Sequence, residues 1–304
     1  MSEKYTLLCS DGSLQGGYIA GAIIALYEHF PDQFEQIDLF TASSASVGNL
    51  LTYLSYGEKN GGEALWTEEF STPDFVKFTR LFQGKPIVDI DYLIEDIIRR
   101  KYPLQKYYIV NNRVSIEFPA YDVDRDEIVT FTTMKGKLSS GNVIALADTD
   151  PHIALKAAMA VPILYDRTVS IFGRRLIDAG MILPIFARDE HIKSRRVITI
   201  ANRRRMSLLK QIGYSAAALL RYILNIIVSR GLPWRTYFHI MNKGYQYTQA
   251  FGHVERNSDR SLTITPSRKL NGSIDNSKQA LRENFNLGYD DIVSRKNEIE
   301  RFFI

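Results

Sequence analysis

A cluster of mostly small residues, Thr41 to Gly48, contains the hydroxyl with the best setting for nucleophilic chemistry. The cluster follows the strand-like run Ile37 to Phe40 and precedes a stretch with helical spacing, so the sequence predicts a strand, a tight corner and a helix. Ser44 lies at the centre of this corner, where a strained backbone can expose a serine hydroxyl at the top of a sheet. Small residues between a strand and a helix are also typical of plain packing, so the corner needs partners elsewhere in the chain.

A glycine-rich turn, Ser10 to Gly17, lies upstream between a strand-like run and a helical pattern. Successive backbone N–H groups in such a turn, backed by a helix N-terminus, form a cradle for an anion. The anion is a phosphate or the oxyanion formed when a hydroxyl attacks an ester carbonyl, and a turn without a ligand is the third interpretation. The phosphate-loop spacing fails because Tyr18 stands where a lysine is required. Leu14 and Gln15 likewise interrupt the dinucleotide-binding fingerprint.

Asp178 offers a carboxylate at the end of another strand-like run, followed by Ala179 and Gly180 with their minimal side chains. If the fold brings Asp178 to Ser44, it can accept the hydroxyl proton. The ordinary pKa of an aspartate, about 3.9, makes it a poor base, so burial would have to raise that pKa. An Asp-Ala-Gly segment by itself is typical of a turn.

In this order, the three segments resemble the patatin-like phospholipase family, in particular its small bacterial members. The family has a glycine-rich loop ending in Arg/Lys-Gly, then Gly-x-Ser-x-Gly, then Asp-Gly-Gly or Asp-Gly-Ala. A fourth segment, Ala157 to Tyr165, is similar to the family's Ala-Ser-x-x-x-Pro-x-x-Phe stretch, which also precedes the aspartate. The matched segments cover about residues 5 to 205, and the remaining third is similar only in its helical character.

The resemblance implies a three-layer α/β/α fold: a mostly parallel central sheet, helices on both faces and a helical C-terminal extension. It implies a lipid acyl hydrolase of the phospholipase A, lysophospholipase or carboxylesterase type, acting on lipid or phospholipid without cofactor or metal. By position, Ser44 is the nucleophile and Asp178 the base. The implied oxyanion hole consists of the backbone amides of Gly12, Ser13 and Leu14.

The chain departs from the family pattern at five positions. Ala42 and Ser46 replace the glycines that flank the nucleophile, Asp11 and Ser13 replace loop glycines, and Gln15 replaces a basic residue. Each added Cβ lies where the backbone favours positive φ, and the missing cation would have stood near the oxyanion. An alternative therefore stays open: a catalytically impaired protein that binds membrane lipid or a protein partner through its basic region, residues 193–243.

Strand-like runs alternate with helical patterns early in the chain, which predicts a parallel sheet covered on both faces. The strand-like runs are 5–9, 38–42, 114–121, 127–133, 168–172, 175–177 and 197–201. Helical patterns cover 17–30, 88–100 and 152–160, and we expect Gly21, Ala22 and Ala25 to pack the first helix closely on the sheet. We expect residues 1–205 to form the α/β core and residues 206–304 a helical extension packed on it within one domain.

The composition is that of an ordinary globular protein, with 304 residues, 45% of them hydrophobic and 24% charged. The single cysteine, Cys9, excludes an intramolecular disulfide and suits a reducing compartment. There is no signal-peptide pattern and no stretch of about 18 to 20 uncharged apolar residues, so we expect a cytoplasmic protein.

Metal and histidine chemistry find little support in the sequence. The histidines are His29, His152, His191, His239 and His253, and only His152 lies near the matched segments. Asp122 to Asp126 begins like a calcium loop, but Glu127 stands where a glycine is required and Thr133 where a glutamate is required, so a solvated β-turn is predicted. No spacing of possible ligands indicates zinc.

One region of the chain is strongly cationic, because no acidic residue lies between Glu190 and Glu255. Its basic residues are Lys193, Arg195, Arg196, Arg203, Arg204, Arg205, Lys210, Arg221, Arg230, Arg235 and Lys243. Such asymmetry indicates an anionic partner. The apolar segment 214–228 fits either a helix at an anionic membrane, which would place the protein at the inner membrane face, or a buried core helix. Nucleic acid is the weaker interpretation because no binding motif is present, and no pattern indicates an oligomeric state.

Overall fold

Two hydrophobic layers enclose the first strand, β1 (Tyr5–Cys9), whose residues are all buried. In the computed structural model, Leu7 and Cys9 pack into a large core on one face and Leu8 into a smaller core on the other. Alternate side chains of a strand point to opposite faces, so helices must cover both faces of the sheet. The structure describes residues 3–57, 62–83, 85–162, 164–165, 167–193, 195–204, 232–256 and 260–304.

The strands of the described residues form one mixed sheet. After β1 they are β2 (Ile37–Ala42), β3 (Ser115–Asp122), β4 (Glu127–Thr132), β5 (Val143–Ala145), β6 (Val169–Ile171), β7 (Arg174–Asp178), β8 (Arg196–Ile200) and β9 (Ser261–Ile264). The main order is β5-β4-β3-β2-β1-β8-β9, and β7 pairs with β3 and β6. Pairs β1–β2, β1–β8, β2–β3, β4–β5 and β8–β9 are parallel, while β3–β4, β3–β7 and β6–β7 are antiparallel.

Helices surround this sheet. They are α1 (Gly16–His29), α2 (Pro31–Phe34), α3 (Ala45–Tyr56), α4 (Glu63–Thr67), α5 (Ile90–Tyr92), α6 (Arg99–Lys101), α7 (Lys106–Asn111), α8 (Pro151–Met159), α9 (Asp189–Ile192), α10 (Trp234–Met241), α11 (Lys243–Glu255), α12 (Lys278–Ser294) and α13 (Lys296–Phe302). A π-helical segment, Leu93–Ile98, joins α5 to α6. Asp150 caps α8 with its side chain, and Pro151 occupies the first turn.

The mostly parallel sheet, its surrounding helices and the helical C-terminal part confirm the predicted fold class. Two short strands, β5 and β9, were not predicted. The second lies in the part of the chain expected to be helical, and it is a strand because it pairs in parallel with β8 along four residues. A run of four residues carries too little periodicity to reveal such pairing. The boundary at residue 205 stays a prediction.

Gly21 of α1 packs against α12, which corrects the expectation that it packs on the sheet. A Cβ at Gly21 would lie 2.0 Å from the Phe285 carbonyl oxygen, and a Cβ at Gly288 would lie 1.8 Å from the Tyr18 carbonyl oxygen. The two helix backbones therefore touch at a pair of glycines, an approach that no larger residue permits. The small residues of α1 indicate that another element can approach this helix closely, but the sequence does not show that this element is α12.

Candidate active site

The corner between β2 and α3 holds Ser44 with φ 56° and ψ −134°. A positive φ is strained for a residue with a Cβ, and here it turns the chain sharply from strand to helix. The preceding residues are buried: Ala42 ends β2, and the Ser43 hydroxyl donates to the Leu183 carbonyl at 2.8 Å. The strand, corner and helix predicted around Ser44 are present.

Ser44 and Asp178 meet at this corner. Ser44 Oγ donates to Asp178 Oδ2 at 2.5 Å, and Asp178 Oδ1 accepts the Gly180 N–H at 2.6 Å. A Cβ at position 180 would lie 2.9 Å from both Ser44 Cβ and Asp178 Oδ1. Glycine at this position therefore permits the close approach of the two side chains.

Asp178 reaches the corner through its strand. β7 pairs with the last residues of β3, beyond the part of β3 that pairs with β2, and Asp178 lies opposite Ala120. The Asp178 N–H also donates to the Ala160 carbonyl at 3.0 Å, which ties the strand end to the segment 157–165. The side chain that results is 1% exposed.

Burial dominates the electrostatics of Asp178. Desolvation raises its pKa to about 7, against the smaller opposing effects of the hydrogen bonds from Ser44 and Gly180. A carboxylate with this pKa can take a proton from a serine at neutral pH far better than one at the ordinary value. The burial of Asp178 therefore provides the rise in pKa that the sequence analysis required of a base at this position.

The glycine-rich turn after β1 lies at the same site, because Ser13 and Leu14 line a pocket together with Ser44. A Cβ at Gly12 would lie 2.7 Å from Gly16 Cα, so position 12 requires glycine. Ser13 has a φ of 47° and keeps the left-handed turn without being glycine. Within the described residues, the amides of Gly12 and Ser13 have no hydrogen-bond acceptor.

Leu14 differs from its two neighbours. Its N–H donates to the Ser273 carbonyl at 3.1 Å, and Ser13 Oγ donates to the same carbonyl at 2.7 Å. The loop before α12 thus covers one of the three amides that the resemblance places in an oxyanion hole. Two donors stay open to a ligand.

Two departures from the family pattern have defined contacts. The Ser46 hydroxyl donates to the Ser10 carbonyl at 2.6 Å and ties the corner to the end of β1. Gln15 Nε2 donates to the Asn271 carbonyl at 2.8 Å, so it holds the same loop that covers Leu14. The side chains that replace glycine and a basic residue therefore brace the turn.

An apolar pocket lies beside the corner, and Ser44 is one of the residues that line it. Its walls are aromatic and aliphatic, with contributions from Trp66, Phe70, Phe75 and Met159. A hydrocarbon chain matches such walls, whereas a polar group would lose its hydration there.

The five histidines are all described, and none hydrogen-bonds to Ser44 or Asp178. His152 Nδ1 donates to Asp150 Oδ1 at 2.8 Å, and its Nε2 accepts the Leu104 N–H at 3.0 Å. His152 therefore braces the start of α8.

The turn predicted at residues 122–126 joins β3 to β4. Asp122 is buried and lies 3.0 Å from Arg174 Nη1, and Asp124 Oδ1 lies 2.5 Å from Arg175 Nη2. Arginines therefore neutralise these carboxylates, and the calcium-loop interpretation gains no support.

Among the described residues, one group has the character of metal ligands: Glu117, Glu190 and His191, with ligand atoms within 4.8 Å of one another. Arg188 contacts both carboxylates, and Lys137 Nζ lies 3.3 Å from Glu117 Oε1. Burial acts to raise the pKa of Glu117, but the hydrogen bond from His191 and these cations lower it to about 2. Because cations already pair with the carboxylates, the group is an ion network in which Glu117 and His191 are buried and Glu190 is exposed.

The basic region is only partly described. Outside the described residues lie Arg205, Lys210, Arg221, Arg230 and the apolar segment 214–228. Several described cations are paired within the molecule: Lys193 with Asp189, Arg195 with Asp38, Arg196 with Glu3 and Lys243 with Asp11. Lys243 is the residue that sequence reasoning misplaced, because nothing in its local sequence separates it from surface lysines.

None of the helices in the described residues combines the length and the apolar character needed to cross a membrane. No family model matches the chain, and neither does any curated protein. Among solved structures, the crystal structure of VipD from Legionella pneumophila is similar, with a TM-score of 0.46 and 10% sequence identity. The match covers 97% of this chain and 67% of that one. A similarity this low does not bear on activity.

Proposed function

We propose that the protein is a serine acyl-ester hydrolase acting on lipid, with Ser44 as nucleophile and Asp178 as base. The observation that carries this proposal is the 2.5 Å hydrogen bond from Ser44 Oγ to a buried Asp178 beside an apolar pocket. A hydroxyl at a strained corner, a base with a pKa near 7 and open backbone amides are the parts that acyl transfer requires.

The chemistry follows from these parts. Asp178 takes the Ser44 proton while Oγ attacks the ester carbonyl carbon, and the amides of Gly12 and Ser13 bind the resulting oxyanion. The intermediate collapses, the alcohol leaves with the proton from Asp178, and an acyl group stays on Ser44. Water then attacks the acyl group with Asp178 again as base, which releases the fatty acid and restores the serine.

The pocket supports a lipid substrate within the ester class. Its walls near Trp66 and Phe70 are apolar, so binding of an acyl chain there would remove hydrocarbon from water. The resemblance to patatin-like phospholipases in the sequence agrees with this choice. We propose glycerophospholipids and lysophospholipids as substrates, presented at a membrane surface.

The test is hydrolysis of p-nitrophenyl esters of increasing chain length and of a fluorescent phosphatidylglycerol, by the wild type, Ser44→Ala and Asp178→Asn. Both variants should lose turnover. Ser44→Ala should also lose labelling by a fluorophosphonate probe. Matched controls are Ser55→Ala and Asp291→Asn, because both residues are buried and hydrogen-bonded elsewhere in the fold. Undiminished turnover in Ser44→Ala, with thermal melts that match the wild type, would exclude the proposed nucleophile.

One observation favours a second function, a lipid-binding protein without turnover. The Leu14 amide donates to Ser273, which leaves two donors for an oxyanion. A protein of this kind would bind a fluorescent fatty acid in the pocket but would not react with the fluorophosphonate probe. Labelling of Ser44 excludes this second function.

A further inference from the structure

A buried ion pair lies beside the candidate site. Asp11 follows β1 in the glycine-rich turn, and Lys243 is the first residue of α11. Lys243 Nζ lies 2.5 Å from Asp11 Oδ2, and the two side chains are only 7% and 6% exposed. Removing two charges from water is costly, so a pair in this position calls for a reason beyond stability.

The local sequence does not favour a lysine at this place. The N-terminus of a helix carries a partial positive charge, which disfavours a cation in the first turn. α11 has no acidic residue in its first turn to offset Lys243. The contact with Asp11, far away in sequence, is therefore what holds the ammonium inside the molecule.

Gly180 connects this ion pair to the dyad. A Cβ built on Gly180 would lie 2.9 Å from Ser44 Cβ, 2.9 Å from Asp178 Oδ1 and 3.2 Å from Asp11 Cβ. Asp11 and the Ser44–Asp178 pair thus lie close together around Gly180. Over such short distances in a water-poor site, the charges on Asp11 and Lys243 act on Asp178.

The charges around Asp178 come from three elements. The ammonium of Lys243, on α11, favours the ionised form of Asp178, and the carboxylate of Asp11, on the turn after β1, disfavours it. Arg203, which follows β8, has Nη2 3.8 Å from Asp11 Oδ2 and lies over the Tyr247 ring. The other oxygen of Asp11, Oδ1, is buried and has no partner among the described residues.

We propose that Lys243 is a positioning residue which neutralises Asp11 and thereby lets Asp178 ionise beside Ser44 at neutral pH. The catalytic consequence of this inference rests on the proposed function. The patatin-like pattern has a basic residue at the position of Gln15, and in this chain the Gln15 side chain donates to the Asn271 carbonyl. In this chain the cation of the turn comes instead from α11.

The test measures the ionisation of Asp178 directly. Protein labelled with ¹³C at the aspartate carboxyls is titrated by NMR, and the Asp178 signal is assigned by its loss in Asp178→Asn. We expect the midpoint of Asp178 to rise by roughly one pH unit in Lys243→Met, which leaves Asp11 unpaired, and to fall by a similar amount in Asp11→Asn. In Asp11→Asn/Lys243→Met the opposing effects cancel, so the midpoint stays within about half a pH unit of the wild type.

The matched control is Arg195→Met. Arg195 is also a buried cation, 8% exposed and 2.5 Å from Asp38, but it lies at the amino end of β8, where it bonds to the Tyr5 carbonyl. Its loss should leave the Asp178 midpoint unchanged. Thermal melts identify any variant that does not fold. The double variant leaves no unpaired charge behind, so it keeps the test available if Lys243→Met is unstable.

Activity separates the inference from the proposed function. With a p-nitrophenyl ester, Lys243→Met should lose about fivefold in kcat/KM at pH 7 and recover toward pH 9, which a merely structural defect would not do. Opposite shifts of the Asp178 midpoint without any hydrolysis by the wild type would uphold the charge effect and reject the hydrolase. Hydrolysis that requires Ser44, together with unshifted midpoints or shifts of the same sign in both single variants, would overturn the role of Lys243.

Discussion

Two buried carboxylates in adjacent strands have opposite acid–base behaviour. Asp178 at the end of β7 is 1% exposed and Glu117 in β3 is 0% exposed. The pKa of Asp178 is raised to about 7, and that of Glu117 is lowered to about 2. Burial alone therefore does not decide whether the pKa of a carboxyl is raised or lowered.

The partners make the difference. Asp178 accepts hydrogen bonds from Ser44 and Gly180, both neutral, so desolvation prevails. Glu117 lies 2.9 Å from His191 Nε2 and contacts Arg188, so favourable interactions with the anion outweigh its burial. Neutral donors keep a buried carboxyl able to exchange a proton, whereas cations fix it as a structural ion.

The largest expected difference between the two regions is in turnover. Asp178→Asn should lower kcat/KM for p-nitrophenyl butyrate by about three to four orders of magnitude, because an amide cannot take the Ser44 proton. Glu117→Gln should stay within about tenfold of the wild type, since Glu117 contacts neither member of the dyad. Steady-state kinetics at 15 °C, with circular dichroism to establish folding, checks both. Equal losses in the two variants would contradict this division of roles.

The second expected difference is in stability at high pH. Folding raises the pKa of Asp178, so the stability that its protonated form contributes is present below about pH 4 and is lost as the pH rises through about 7. Asp178→Asn carries no charge at this buried position. The difference in free energy of unfolding between Asp178→Asn and the wild type should therefore change in favour of the variant by on the order of 4 kcal/mol as the pH rises from 4 to 8. Urea denaturation at pH 4, 6 and 8 measures the difference. A difference that does not change with pH would rule out a raised pKa.

Glu117→Gln should show the opposite dependence. Folding lowers the pKa of Glu117, so its contribution is present above the ordinary value near 4.5 and is lost as the pH falls toward 2. The variant should be less stable than the wild type at pH 7 by about 3 kcal/mol, because Arg188 and His191 lose their anion. The deficit should shrink at pH 3. A deficit that is equally large at both pH values would contradict a role for the charge.

The smallest expected effect is on the pH profile of the wild type. If Asp178 must be ionised to act, kcat/KM should fall about tenfold per pH unit below a midpoint near pH 7. Glu117→Gln should keep this midpoint, because Glu117 is already ionised throughout the range. Stopped assays between pH 5 and 9 provide the profile. Constant activity from pH 5 to 8 would mean that another group serves as base.

Much of the site could be predicted from local sequence. The small residues around Ser44, the glycine at position 12 and the glycine after Asp178 reveal themselves because a sharp turn or a close approach excludes larger side chains. The ion network of Glu117 gave no such signal, since its members come from distant segments with no fixed spacing. Lys243 was assigned to a cationic region by its neighbours in sequence, although its ammonium lies inside the fold.

Local sequence alone accounts for the geometry of each segment: a strand, corner and helix at Ser44, a glycine turn and a carboxylate at a strand end. These follow from backbone sterics, which depend on residues next to one another. Packing of the whole chain brings Ser44 Oγ within 2.5 Å of Asp178 Oδ2, pairs the Leu14 amide with Ser273 and places Lys243 against Asp11. Desolvation and charge depend on which distant side chains surround an atom, and that is fixed only when the chain has packed.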